Sequence, residues 1–159
     1  MIQKMKNIDD FDRKILTQLQ RDADLPLDAL GEIVGLSRNA CWRRIKALEA
    51  SGTITKRVAL LEPEHLGLGL TVFMQIRAGA HDADWLVRFA RATDGLPQIQ
   101  SVYRMTGDLD YLIRARVRDM AGYDRLYRAL IARVPMGDVS ASFVMEQIKD
   151  TTELPLHEV

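Results

Sequence analysis

Between Ser37 and Arg57, six cationic side chains (Arg38, Arg43, Arg44, Lys46, Lys56 and Arg57) meet a single carboxylate, Glu49. Such a concentration of guanidinium and ammonium groups suits a polyanion, and the amide of Asn39 among them suits a base edge. The stretch "GLSRNACWRRIKALEASGTI" also carries helix punctuation, with Ser37 fit to cap a helix and Gly52 to stop it. With Cys41 as origin and ~100° per residue, Ile45 and Leu48 lie within ~40° of it, forming a seam that should pack inward. Asn39, Trp42, Arg43 and Lys46 fall between ~100° and ~200°, on the opposite side. That side is expected to enter a DNA major groove, with Arg43 pairing to guanine, Asn39 reading adenine and Lys46 reaching phosphate. Arg38 and the free amides after Ser37 suit a phosphate oxygen, and Arg44, Lys56 and Arg57 complete the candidate DNA-binding set. Trp42 either packs at the edge of the core or rests its ring on a sugar or thymine methyl. A basic helix face is also what a merely solvated helix carries, so the neighbouring elements decide between the two.

Those neighbours read as a helix-turn-helix. In "NIDDFDRKILTQLQRD", Asp9 suits an N-cap, Asp10 and Asp12 favour the positive end of the helix, and Phe11, Ile15 and Leu19 form a stripe expected to be buried. In "ADLPLDALGEIVG", Pro26 limits the start of a short helix, Asp28 is a plausible cap, Leu30, Ile33 and Val34 should face inward, and Gly35 ends it. Helix, short helix, the turn "GLS" and helix is helix-turn-helix spacing. "TITKRVALLEP" is rich in β-formers and predicts a strand or wing.

A second constellation lies further along. "QIQSVYRMTG" and "DLDYLIRARV" read as strands joined near Gly107-Asp108. Gly107 would let backbone approach a ligand closely and its amide neighbours could hold an α-carboxylate, while Asp108 or Asp110 could pair with an α-ammonium group. Gly-Asp is equally ordinary turn chemistry, so the hairpin by itself leaves both readings open. Around it, "LTVFMQIRA" predicts a strand. "ADWLVRFARAT" predicts a helix with Trp85, Leu86, Phe89 and Ala90 inward. "DMAGYDRLYRALIARV" predicts a helix with Tyr123, Leu126, Tyr127, Leu130 and Ile131 on its apolar side, and "DVSASFVMEQIK" a last strand. The order β-α-β-β-α-β is ferredoxin-like. The expected fold class is therefore α+β, with domains at 1–61 (winged helix-turn-helix), 62–69 (linker) and 70–159 (ferredoxin-like, with the C-terminal tail).

The 159 residues are 47% apolar, enough for real cores, and no stretch resembles a membrane span or secretion signal. Cys41 is the single cysteine, so no intramolecular disulfide forms, and a cytoplasmic protein is expected. Net charge is zero, yet residues 1–61 carry 11 Lys/Arg against 8 Asp/Glu (+3) and residues 62–159 carry 11 against 14 (−3), so the basic half is the DNA-binding half. His65, His81 and His157 are scattered over a linker, a loop and the tail. No metal-ligand spacing, nucleophile elbow or phosphate loop appears, so neither an enzyme nor a cofactor is expected.

Five ordered motifs carry a resemblance: "IDDFDRKIL", "GLSRNACWRRIKALEASGTI", "VALLEPEHLGLGL", "MTGDLDYLIRARVRDM" and "ASFVMEQIKDTTELPL". Together they resemble the Lrp/AsnC (leucine-responsive, feast/famine) transcriptional regulators from Ile8 to Leu156. The resemblance implies a nucleoid-associated regulator that binds double-stranded DNA and responds to a small amino acid. It also implies homodimers formed mainly through the C-terminal sheets, assembling to octamers or similar, with effector held between dimers. The matching effector positions are Met105, Thr106, Gly107, Asp108, Asp110 and Tyr111 of the hairpin and Ser142 on the last strand. The tail resembles members responsive to amino acids such as cysteine or the branched-chain ones. Arg38-Asn39-Ala40 departs from the small or Pro/Thr residues of many members, which points to a different base preference. Two alternatives remain: a DNA-wrapping protein without effector, and an enzyme like the haem-pathway decarboxylases of the same two-domain plan.

Overall fold

The computed structural model describes residues 8–79 and 82–158; His81 lies outside them. The chain forms two compact units, one comprising the chain up to Leu60 together with the tail from Lys149, the other Leu61–Ile148.

In the first unit, α1 (Asp10–Arg21) starts at the N-cap Asp9, whose carboxylate accepts from the Asp12 amide at 2.8 Å. The next helix, α2 (Leu27–Val34), is entered from Pro26, and Asp28 sits in its first turn instead of capping it. Proline suits this place because its fixed φ starts a helix and the missing amide is not needed there. Gly35 ends α2 at φ +78, a left-handed conformation that only glycine takes without strain. Gly31 is held bare for a different reason: a β-carbon there would come within 2.5 Å of the Leu36 carbonyl oxygen, which lies across the turn. The turn then delivers Ser37, whose hydroxyl accepts from the Ala40 amide at 3.3 Å and caps α3 (Arg38–Ala50).

Ile15, Leu16, Leu30, Val34, Cys41, Ile45 and Leu48 make the core of this unit. The expected stripe on α1 is shifted, since Phe11 is exposed and Leu16 buried, and Ile33 on α2 faces solvent. No strand forms between Thr53 and Glu62. Among the described residues the first unit offers no neighbouring strand to complete a ladder, so the β-forming pattern there has nothing to pair with, and the expected wing is absent from the single chain. The tail also departs from expectation. It belongs with the first unit because Leu156 packs against that core, the Leu154 amide donates to Gln20 Oε1 at 2.6 Å, and Arg21 pairs with Glu153 at 3.1 Å.

The second unit opens with a short helical turn at Glu64–Leu66, followed by β1 (Leu70–Ala78), α4 (Ala83–Asp94), β2 (Ile99–Arg104), β3 (Tyr111–Val117), α5 (Met120–Ile131) and β4 (Met136–Phe143). The sheet order is β2-β3-β1-β4 and every neighbouring pair is antiparallel, the expected ferredoxin-like arrangement. One sheet face supplies Val72, Met74, Ile76, Tyr111, Ile113, Ala115 and Val117 to a core closed by Trp85, Phe89, Leu126 and Leu130 from the helices. Leu86, Ala90 and Ile131, expected inward, are exposed, while Ala92 and Thr93 are buried. Because side chains alternate along a strand, the other face carries Phe73, Gln75, Leu112, Arg114, Ser140 and Ser142.

Candidate nucleic-acid interface and effector hairpin

On α3 the two faces separate as the helical period requires. Cys41, Ile45 and Leu48 are sealed inside, and burial pushes the Cys41 thiol pKa up, as for an inert core cysteine. On the other side Asn39, Trp42 and Arg43 are exposed, with Trp42 retaining 52% of its surface. Arg43 and Lys56 have no ion-pair partner among the described residues.

The other cations of the set are paired, to different degrees. Arg44 is turned towards α1: its Nη1 donates to Asp9 Oδ2 at 2.7 Å and to Asp12 Oδ1 at 2.8 Å, and its guanidinium lies 5.4 Å from the centre of the Phe11 ring. These hydrogen bonds, that to Asp12 first, raise the Arg44 pKa. The Asp9 carboxyl is held below its ordinary value, first by the Asp12 amide and then by Arg44. Arg44 of the candidate DNA-binding set therefore fastens α3 to α1 and lies off the outward face. Glu49, the lone carboxylate of the stretch, takes Lys46 at 2.8 Å and Arg57 at 3.1 Å, and both, Lys46 first, lower its pKa. Arg57 also donates to the Ala23 carbonyl at 3.2 Å. Arg38 reaches back over the turn to Asp28 at 3.3 Å, although both side chains are mostly exposed.

The hairpin between β2 and β3 turns at Gly107, whose φ of +95 again favours glycine. Its frame is a polar closure. The Met105 amide donates to the Asp110 carbonyl at 2.9 Å, the Asp110 amide to the Ile76 carbonyl at 3.1 Å, and the Ala78 amide to Asp110 Oδ2 at 2.8 Å. Arg77 Nε donates to the Asp108 carbonyl at 3.2 Å. Met105, Thr106, Gly107 and Asp108 are thus exposed together at the tip, whereas the Asp110 carboxylate is committed to the β1 backbone. Two expected members lie elsewhere. Tyr111 points into the core, with its ring 4.7 Å from Phe89 and 5.7 Å from Trp85, because it continues the inward alternation of β3. Ser142 stands opposite Phe73 on the open sheet face, three residues along β1 from the point where the hairpin attaches at Ile76. Ser142 was already expected on the last strand, and the register adds which face of the sheet it takes. Sequence reasoning also missed Arg114, whose Nε is buried and has no hydrogen-bond partner among the described residues.

No metal-binding group of His, Cys, Asp or Glu occurs among the described residues, and no described helix is long and apolar enough to cross a membrane. The model of the AsnC-type helix-turn-helix domain matches residues 8–49, and that of the Lrp/AsnC ligand binding domain matches residues 71–154. The glutamate uptake regulatory protein of Zymomonas mobilis is 49% identical over 97% of this chain and 94% of its own. The crystal structure of an AsnC family transcriptional regulator from Agrobacterium tumefaciens superimposes with a TM-score of 0.91 at 48% identity, covering 94% of this chain and 98% of that one. A Neisseria meningitidis transcriptional regulator in complex with L-Met superimposes with a TM-score of 0.90 at 36% identity, covering 94% and 97%. A capped helix with a buried seam and an exposed polar face, a ferredoxin-like second unit and these matches agree: the chain belongs to the Lrp/AsnC family of DNA-binding transcriptional regulators and is not an enzyme.

Proposed function

We propose that α3 reads the DNA major groove through Asn39, Trp42 and Arg43, and that the protein acts as a homodimer-based assembly whose DNA binding is tuned by a small amino acid at the hairpin tip. The observation that carries this reading is the exposure of Asn39 and Arg43 directly opposite the buried Cys41–Ile45–Leu48 seam. Arg43 brings an uncommitted fork of donors to guanine, and Lys56 an uncommitted charge to phosphate. Lys46, Arg57 and Arg38 sit in exposed ion pairs that contribute little and exchange readily for phosphate oxygens. Ser37 acts by holding the start of the helix, and Arg44 by locking its axis.

Assembly follows from the open sheet face. Phe73 and Leu112 are only half-buried there, Tyr103 keeps 49% of its surface, and Arg114 Nε lacks an acceptor. A second copy laid on this face covers the apolar area, giving a dimer with two reading helices; higher assembly to octamers follows from the family. Ser142, on the same face, meets a hairpin only when other copies are present. An amino acid is the favoured effector class because the tip offers exposed backbone amides for a carboxylate beside Asp108 for an ammonium group, and a relative carries L-Met. Binding between copies changes assembly or the separation of the reading helices, which is coupling in the linkage sense. A cytoplasmic, nucleoid-associated location fits such a regulator.

Arg43→Ala is expected to weaken operator binding by ~1–3 kcal/mol in a mobility-shift titration, with relaxed preference at one base position. An operator affinity equal to that of the unaltered protein overturns the reading face. Titration of free amino acids into the same assay checks the effector; no change in affinity or assembly with any of them favours a DNA-wrapping protein instead.

A further inference from the structure

A third set of cations stands apart from both regions described so far. Arg88 and Arg91, three apart on α4 and therefore neighbours on its surface, join Ala92 and Arg133 around a cleft of about 290 Å³. Neither Arg88 nor Arg91 has an ion-pair partner among the described residues, and the lining of the cleft contains no carboxylate. Asp84 and Asp94 lie a turn away on the same helix, yet neither comes within ion-pair distance of these guanidinium groups.

Arg133 is held in place. Its Nη1 donates to the Ala92 carbonyl at 3.1 Å, near the end of α4. Gly95 leaves room for it: a β-carbon there would stand 3.0 Å from the same nitrogen. The larger cleft in the first unit offers a contrast. Lys46 and Arg57 line it as well, but Glu49 lies between them and pairs with both. In the second unit, where acidic residues outnumber basic ones, three arginines share a concavity whose lining contains no carboxylate. Like charges gathered at one surface raise the local positive potential and attract an anion.

We propose that Arg88, Arg91 and Arg133 form a phosphate-binding cleft. Guanidinium forks match the oxygens of a phosphate group, and a concavity of this size, at the lower end of ligand sites, takes one such group and a short extension. The phosphate is carried either by a free phosphorylated small molecule or by the DNA backbone. In the first case the cleft is an additional input to the regulator, and in the second it lengthens the DNA track beyond the helix-turn-helix. This site is independent of the hairpin tip and of the reading helix.

The test uses the full-length protein and an Arg88→Gln/Arg91→Gln variant. Both side chains are exposed, so the fold is retained, and Arg133 keeps its bond to Ala92. Inorganic phosphate titrated at constant ionic strength, followed by the chemical shifts of α4 amides, should bind the unaltered protein at least about tenfold more tightly than the variant. The slope of log affinity against log salt for a duplex then separates the sources. A slope shallower in the variant by roughly one for each lost contact assigns the cleft to the DNA backbone, and an unchanged slope assigns it to a free phosphorylated molecule. Equal phosphate binding by both proteins, or no binding at α4, overturns the proposal.

Discussion

Helix α3 and the β2–β3 hairpin each present exposed polar groups, but they fix those groups by different means. On α3 the backbone is satisfied within the helix, and side-chain direction follows from the 3.6-residue period, so Asn39 and Arg43 point away from Cys41, Ile45 and Leu48. At the hairpin the side chains themselves complete the backbone's hydrogen bonding, as Asp110 does for the Ala78 amide, and only the tip is left over for a ligand. A helix therefore keeps its fold-making and ligand-reading residues on separate faces, whereas a turn mixes them among neighbours in sequence. Substitutions in α3 should divide cleanly between stability and recognition, and those in the hairpin should not.

The largest expected effect lies on the α3 seam. Leu48 is fully buried, and Leu48→Ala should cost ~2–5 kcal/mol of stability through lost burial and the cavity left behind. The cores of the two units are separate clusters, so denaturant unfolding followed by circular dichroism should show the first unit melting early while the second keeps its own transition. A single shifted transition for the whole chain would mean that the units unfold as one and would break the division.

Next comes Arg44. Removing it leaves Asp12, a carboxylate only 7% exposed, without its guanidinium, at a cost of ~1–3 kcal/mol, while Arg43→Ala one position earlier should change stability by less than ~0.5 kcal/mol. The pH dependence sharpens this contrast. Because the Asp9 carboxyl titrates below its ordinary value in the folded protein, its contribution is present above that ordinary value and is lost as pH falls through the depressed one. In Arg44→Ala the two values move closer together, the Asp12 amide remaining as the larger cause, so the part of the acid-side decline owed to Asp9 should shrink. Urea midpoints measured on the acid side for both proteins check it, and identical pH slopes would separate Arg44 from Asp9.

The position of Arg44 was in fact written in its spacing. Counted from Cys41 it falls at ~300°, about 40° from Leu48 on the seam and well away from Asn39, yet its charge placed it in the candidate DNA-binding set. Periodicity, capping residues and the βαββαβ order were legible because they depend on neighbours within a few positions. The missing wing and the return of the tail to the first unit depend on partners far along the chain: an absent strand, and Gln20 with the α1 core. Composition gives no access to such pairings. The same holds for Lys46 and Arg57, whose shared carboxylate was visible in the sequence as Glu49 but whose geometry was not.

The smallest change in stability belongs to the hairpin tip, and there the contrast between Asp108 and Asp110 is decisive. Asp108→Asn alters an exposed side chain whose residue is held by its carbonyl to Arg77, so stability should move by less than ~0.5 kcal/mol. Without the carboxylate an α-ammonium group loses its counter-charge, so the effector response should vanish with DNA affinity unchanged in the absence of effector. Asp110→Ala strips the Ala78 amide of its acceptor, costs ~1–3 kcal/mol and loses the response indirectly, whereas Asp110→Asn keeps an acceptor oxygen and should restore both. Calorimetric titration of effector into the three variants, beside their urea midpoints, distinguishes contact from support. An Asp108→Asn protein that still binds its amino acid with unaltered affinity would shift the ligand's ammonium away from the tip and leave Gly107 as simple turn chemistry.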